Sequence, residues 1–379
     1  MKAAVLGAGG TIAPAIVRDL AASDEVEELL LLDLDEARAQ HVATLHGGGK
    51  ASAARTDARA PTSDPGSLAR ALEGWDVLVN SASYRVNLDA MAACLHAGCH
   101  YLDLGGLYWM TSLQLDLDLQ FRRQGLLALL GIGSAPGKTN LMAKVAVDAL
   151  HPGDPAADGA APPIDSVHVS AAGRDLDPPP GFSVPYALQT LLDELTMKPI
   201  VLRDGRSEEI EPLSDGGEVD FGEPIGIGPT IHTIHSELRT FGDSFGCREA
   251  SFRLCLSTDL LAELRALTDA SESEVRRRAA EARPPSGHTV SVHLIEASTA
   301  GREARVRAVT EPIADWGLGG GIVSTAAPAA AAVRLLARGA IDARGSLPPE
   351  RSIDPQAMFA ELEQRGCRFE VTAPQEVRA

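Results

Sequence analysis

The chain has 379 residues, 45% of them hydrophobic and only 4% aromatic, with a formal net charge of -18. That length suits two packed units, and the hydrophobic share excludes disorder for most of the chain. So acidic a surface repels phosphate backbones and excludes nucleic acid as a partner.

Lys2 to Leu6 is a short apolar run, followed by Gly7-Ala8-Gly9-Gly10. From Ile12 to Ala22 the apolar residues recur at helical spacing, through Ile16, Val17 and Leu20. Leu29 to Leu32 is a second apolar run and ends in Asp33. Uninterrupted apolar strands belong to a parallel sheet covered on both faces. The alternation continues with strands expected at Ser52–Thr56, Asp76–Asn80, His100–Leu104 and Leu126–Ile132. Helices are expected at Pro65–Leu72, Asn87–Ala97, Ser112–Gln124 and Asn140–Leu150. Six β-α repeats of this length predict an α/β doubly wound, Rossmann-type parallel sheet over residues 1–145.

Pro152 to Pro163 reads as a linker. Residues 146–323 then read as a second, α+β unit for substrate binding and dimerisation. Its strands are expected at Ser166–Ser170, Ile200–Arg203, Ser251–Leu256 and a hairpin over Thr289–Ala297 and Arg302–Thr310. Its helices are expected at Leu188–Thr196 and Leu260–Glu281. Residues 324–379 read as a C-terminal helical segment that returns to the first unit.

The opening strand carries no secretory signal, and runs such as Leu29–Leu32 and Gly125–Ile132 are too short to span a bilayer. Five scattered cysteines, none in a CxxC pair, read as reduced thiols. A cytoplasmic protein with no metal site and no membrane partner is expected.

Gly7-x-Gly9 between a strand and a helix is the context that makes a dinucleotide fingerprint meaningful. Gly7 permits the tight turn, Gly9 lets a pyrophosphate approach the backbone, and Gly10, Thr11 and Ile12 lead into a helix N-terminus with its positive dipole end. Asp33, 26 residues after Gly7, is placed to hold the ribose hydroxyls, and Asp57 at the next strand end is a further candidate for cofactor binding. Ile12 stands where a third glycine is usual. A carboxylate at Asp33 repels a 2′-phosphate and Arg38 comes five residues on, so NAD is favoured, with NADP as the alternative.

Three further segments follow strand ends, where open parallel sheets bind ligands. Asn80-Ser81-Ala82-Ser83-Tyr84 follows the fourth strand, Tyr101-Leu102-Asp103-Leu104-Gly105-Gly106 the fifth, and Gly131-Ile132-Gly133-Ser134-Ala135-Pro136-Gly137-Lys138-Thr139-Asn140 the sixth. With the tail segments Ser324–Pro328 and Leu347–Glu350, these resemble the saccharopine dehydrogenase-like family, especially its L-lysine 6-dehydrogenase branch. Saccharopine-forming relatives carry an acidic residue at the position of Ala135, and this departure argues against saccharopine itself as substrate.

The resemblance implies an oxidoreductase that moves a hydride between a nicotinamide cofactor and the C–N bond of an amino acid or amine. Asn80, Ser81 and Ala82 would flank the cofactor. Asp103 is the candidate catalytic carboxylate, stabilising an iminium or relaying a proton, and Tyr84 a substrate hydrogen-bonding partner. Gly105, Lys138 and Asn140 would bind substrate, Lys138 through a carboxylate. In the second unit Tyr186 and His232 are candidates; in a strand, His232 and His235 would point to opposite faces. The alternatives are an imine reductase of the carboxyspermidine or saccharopine type, and a non-catalytic NAD(H)-binding sensor. Base rates for such enzymes predict a homodimer.

Overall fold

The computed structural model describes residues 1–151, 163–283 and 285–376. The expected linker falls largely outside them. The chain divides into two compact units, one of residues 1–138 and 324–362, the other of 139–323 and 363–379.

Unit one contains β1 (Lys2–Leu6), β2 (Glu28–Asp33), β3 (Ala51–Arg55), β4 (Val77–Asn80), β5 (His100–Asp103) and β6 (Leu127–Leu129). Every pairing is parallel, and the order runs β3-β2-β1-β4-β5-β6 before a last strand from far along the chain joins beyond β6. The order reverses between β1 and β4, the point at which a doubly wound sheet opens a crevice beyond its carboxyl ends. Ala3, Val5, Leu29, Leu31, Val77, Val79 and Leu102 are buried along these strands, as two-sided cover requires. The α/β doubly wound reading holds.

Unit two carries β7 (Ser166–Asp175), β8 (Ile200–Arg203), β9 (Arg206–Glu209), β10 (Asp215–Asp220), β11 (Ile227–His232), β12 (Glu249–Cys255), β13 (Thr289–Thr299) and β14 (Arg302–Thr310). Returning to unit one, β15 (Gly345–Leu347) runs parallel to β6, and β16 (Cys367–Glu376) then pairs antiparallel with β14 in unit two. The main path of the second sheet is β10-β11-β12-β7-β13-β14-β16, with β8 and β9 branching from β12. All its pairs are antiparallel except β12 with β7. This is the expected α+β unit, with the expected hairpin at Ala300–Gly301.

Four local differences stand out. The segment 324–379 does not return to unit one as a whole, because β16 belongs to the second sheet. The single helix expected over Leu260–Glu281 is two, Thr258–Arg265 and Glu272–Glu281, because Ser257 and Ser271 each cap a helix start by accepting an amide three residues on. The helix expected over Ser112–Gln124 is also two, Leu107–Leu115 and Asp118–Arg123, whose starts carry no side-chain cap. Finally, the Gly320–Ala337 helix is long and apolar enough to cross a membrane, which the search for apolar runs overlooked. It is 78% buried within the protein, as a core helix is.

One buried and one partly exposed charge group tie helices of unit one together. Arg334 on that long helix donates to Asp19 on the Ala13–Ala21 helix (3.0 Å) and to Glu361 on the Pro355–Glu363 helix (2.7 Å). Arg338, one turn further, reaches Glu25 and Glu361 (2.6 Å each). Arg334 and its two partners are nearly enclosed, so each charge depends on the others.

Candidate functional site

Gly7 holds φ +76°, and a Cβ there would lie 2.7 Å from the backbone of Ala82. The turn after β1 and the loop after β4 therefore approach each other too closely for any side chain. Gly7 donates its amide to Leu32 O (2.8 Å), and Gly10 turns back to Gly7 O (2.9 Å). A Cβ on Gly9 would lie 2.9 Å from Arg38 Cβ and 3.2 Å from Asp33 Oδ2. Gly10 and Thr11 are exposed, and Ile12 precedes the helix as its N-cap residue with no side-chain cap. Pro14 in the first turn has no N–H to satisfy there. A bare turn leading into an uncapped helix start fits the diphosphate of a dinucleotide.

Asp33 orders the turn. Its Oδ2 accepts the Gly9 amide (2.8 Å) and its Oδ1 the Asp35 amide (2.9 Å). Arg38 donates its guanidinium to Gly9 O, which puts a cation beside Asp33. Asp57 bridges to Ser67 and accepts the Arg59 amide (2.9 Å). Ser81 donates to Leu6 O (2.8 Å), tying the loop after β4 to the end of β1. Asn80 Oδ1 accepts the Ala82 amide (3.1 Å). Tyr84, half-buried, opens a short 3-10 turn with the Arg85 guanidinium 4.8 Å above its ring.

Asp103 is enclosed, not substrate-facing. Only 1% of it is exposed. Oδ1 accepts the amides of Gly131 (2.7 Å) and Gly105 (2.9 Å). Oδ2 accepts from Gln114 (2.6 Å), Tyr101 (2.9 Å) and Asn87 (3.1 Å). Burial holds its carboxyl above the usual carboxylate range despite these five donors. Asn80 joins through Asn87 (2.9 Å) and Tyr101 (3.2 Å). Asp103 thus fastens the loops after β4, β5 and β6 to one another and is a positioning residue. The expectation of a catalytic carboxylate is corrected on that ground, since both oxygens are committed and no face is left for substrate. Gly105 sits at φ +133° against the ring of Pro136.

Lys138 is also enclosed. Its ammonium donates to Ser324 Oγ (2.6 Å), where a substrate carboxylate was expected. Asn140, two residues on in the Lys138–Leu150 helix, is buried.

In unit two, His232 and Tyr186 have different hydrogen-bond partners. His232 pairs across the sheet with Arg253, and cross-strand partners share a face. Its ring lies 3.3 Å from Phe252 O, and burial lowers its pKa. Tyr186 donates its hydroxyl to Glu194 on the Leu188–Thr196 helix. His235, past the end of β11, stacks flat on Phe252 with ring centroids 3.4 Å apart. Next to it stands Glu237, fully buried, whose Oε1 accepts from Thr139 (2.8 Å). Sequence reasoning passed over Glu194 and Glu237, because a carboxylate in a helix reads as a solvated charge until the fold buries it. Among the described residues no group of His, Cys, Asp and Glu is arranged to hold a metal.

Comparison with known proteins agrees with this geometry. Residues 3–129 match the family model described as saccharopine dehydrogenase NADP binding domain. That match covers the first third of the chain, the part that carries the Gly7–Gly10 turn and Asp33. A carboxyaminopropylagmatine dehydrogenase from Synechocystis sp. is 27% identical over 277 residues, 70% of this chain. That alignment spans 65% of the relative's own length. Among solved structures, apo saccharopine dehydrogenase (L-Glu forming) from Saccharomyces cerevisiae superposes with a TM-score of 0.68 at 15% identity, covering 98% of this chain and 100% of that one. This second likeness speaks for the fold. Unit one is a nicotinamide-dinucleotide-binding domain.

Proposed function

We propose that the protein is an NAD(P)-dependent oxidoreductase acting on the C–N bond of an amino acid or amine. The observation that carries this reading is the Gly7–Gly10 turn, pinned by Asp33 at the reversal point of the parallel sheet, within residues that match a saccharopine dehydrogenase NADP binding domain. When bound, the nicotinamide dinucleotide gives or takes the hydride. The chain's own part in unit one is to bind and orient. The bare turn and helix start receive the diphosphate, and Asp33 has lone pairs left for a ribose hydroxyl. The Asp103 network holds the loops after β4 and β5 in one conformation.

NAD is the proposed cofactor because the Asp33 carboxylate opposes a 2′-phosphate. Arg38 stands beside it and supplies the charge an NADP-preferring variant would use.

Two directions of reaction are compatible with this site. One oxidises an ω-amine to a semialdehyde, as the resemblance to L-lysine 6-dehydrogenase implies. The other reduces an imine formed from an aldehyde and an amine, and the name of the Synechocystis relative, which contains an agmatine unit, favours it. The proposed setting is a cytoplasmic homodimer, whose assembly light scattering would measure. The decisive experiment is a turnover screen of both cofactors with lysine, ornithine, diamines and agmatine, alone and with small oxo acids or aldehydes. NADH formed from an amine selects the first direction, and NADH consumed only with both carbonyl and amine selects the second. Neither, in protein that binds the cofactor, overturns the proposal.

A further inference from the structure

One buried cluster in unit two sets two carboxyl groups, Glu194 and Glu237, around a single imidazole, His235. Glu194 and Glu237 are about 5% and 0% exposed, and His235, about 7% exposed, is the cation that interacts with both. Glu237 Oε1 is satisfied by Thr139, but Oε2 is not. It faces His235 Nδ1 at 3.4 Å, and neither atom makes a hydrogen bond. Two hydroxyls in the same short run, Thr233 Oγ1 and Ser236 Oγ, are equally buried and equally without a partner. Four unsatisfied polar atoms within five consecutive residues are rare in a protein interior, where such groups normally find one another or water.

The charges register this imbalance. Burial, with Glu237 and Asp193 nearby, holds Glu194 above the usual carboxylate range against the pull of His235 and Tyr186. Burial opposes a charge on His235, yet Glu237 and Glu194 outweigh it and keep the imidazole protonated above its ordinary value. Burial and Glu194 push the Tyr186 phenol far up, so it stays a donor. Two carboxyl groups here share one imidazole, and Glu237 Oε2 and His235 Nδ1 are left without a hydrogen bond. A second cation supplied from outside would complete the cluster.

We propose that Glu194, His235 and Glu237 form the subsite for the substrate's cationic nitrogen, an ammonium or guanidinium group, which takes the free lone pairs of Glu237 Oε2 and Glu194. The Phe252 ring beneath His235 and the Thr139 bond to Glu237 are positioning contacts that keep the imidazole and the carboxylate in place. The proposal rests on the reading of the protein as an amine-handling oxidoreductase and names the part of the substrate that reading leaves open.

The test is calorimetric titration of the full chain, in the presence of NADH, with agmatine and cadaverine as cationic probes and 1,5-pentanediol as the uncharged control. NADH binding is measured separately for every protein. Saturable binding of a cationic probe, no binding of the diol, and at least a tenfold loss in both Glu194→Gln and Glu237→Gln with NADH affinity unchanged are expected. Should either variant fail to fold, the wild type still decides. A cation entering this cluster displaces a proton from His235 or Glu194, so the heat of binding depends on the ionisation enthalpy of the buffer. Wild-type protein that binds NADH but neither cation overturns the subsite, as do variants that bind the probes as tightly as wild type. Cation binding without proton release anywhere between about pH 5 and 8 overturns it as well. Absence of NADH binding strikes instead at the oxidoreductase reading, while the cation titration, read on its own, still decides the subsite.

Discussion

The Gly9 amide donates to Asp33 Oδ2 at 2.8 Å, so the carboxylate that would meet the ribose also sets the shape of the turn under the diphosphate. Replacing Asp33 therefore has two effects. In Asp33→Ser the repulsion of a 2′-phosphate disappears while Arg38 remains beside the pocket. The ratio of kcat/KM for NADP over NAD is expected to rise at least tenfold, about 1.4 kcal/mol. Affinity for NAD falls because the turn loses its pin. An unchanged ratio in steady-state kinetics would place the ribose elsewhere.

Asp103→Asn keeps the size of the side chain but turns one acceptor into a donor. Whichever oxygen is replaced, the new amide meets donors from Gly105 and Gly131 or from Asn87, Tyr101 and Gln114. A loss of stability on the order of 3 kcal/mol is expected, read by denaturant unfolding. A residue with a purely chemical role would instead lose turnover at unchanged stability.

Arg334→Met should be among the most damaging single changes in unit one, costing roughly 3–5 kcal/mol, because it removes the buried guanidinium that Asp19 and Glu361 share. Adding Asp19→Leu and Glu361→Met removes the buried carboxylates as well and should restore most of the loss. Thermal unfolding of the single and triple variants checks both statements.

His168 donates to or accepts from Ser251 at 2.8 Å on the second sheet, and burial, followed by the charge of Arg253, lowers its pKa to about 4. The folded protein thus prefers the neutral ring. The stability this preference contributes is complete above the ordinary value of 6.5 and is lost as pH falls from there toward 4. His168→Gln, which can still bond Ser251, should lack that part of the acid loss. Histidine titration by NMR and urea unfolding at several pH values measure it. A ring that titrates near 6.5 contradicts the prediction.

Much of unit one was legible because its signals are local. An apolar run, a glycine turn, a helical spacing and an acid at the next strand end lie within 33 residues, and the structure places Asp33 on that turn. The Leu188–Thr196 helix was equally readable, since its apolar face recurs at helical spacing. What escaped depends on distant partners. Three residues, Gly345–Leu347, carry no periodicity, and they become a strand only because β6 offers an edge more than 200 residues upstream. The role of Asp103 was misread for a related reason. The strand end is visible in sequence, but the side chains of Asn87 and Gln114 that close over it come from other elements. Glu194 and Glu237 look like ordinary helix surface until burial leaves an oxygen unsatisfied. The second helix start at Ser271 was within reach, since Ser271 with Glu274 three residues on is a recognised capping pattern.

Because β15 closes the edge of β6, the first sheet is not finished when its first six strands exist. At synthesis rates of roughly 5–20 residues per second, about 10–45 s separate the emergence of Leu129 from that of Leu347. During that interval the nascent chain displays an unpaired parallel edge, and the acidic groups Asp19 and Glu25 await their arginines from the Gly320–Ala337 helix and the residue just beyond it. Truncated fragments ending near residue 138 inherit this unfinished state permanently, so they should aggregate on the ribosome's timescale and need chaperone capture that the whole chain outgrows.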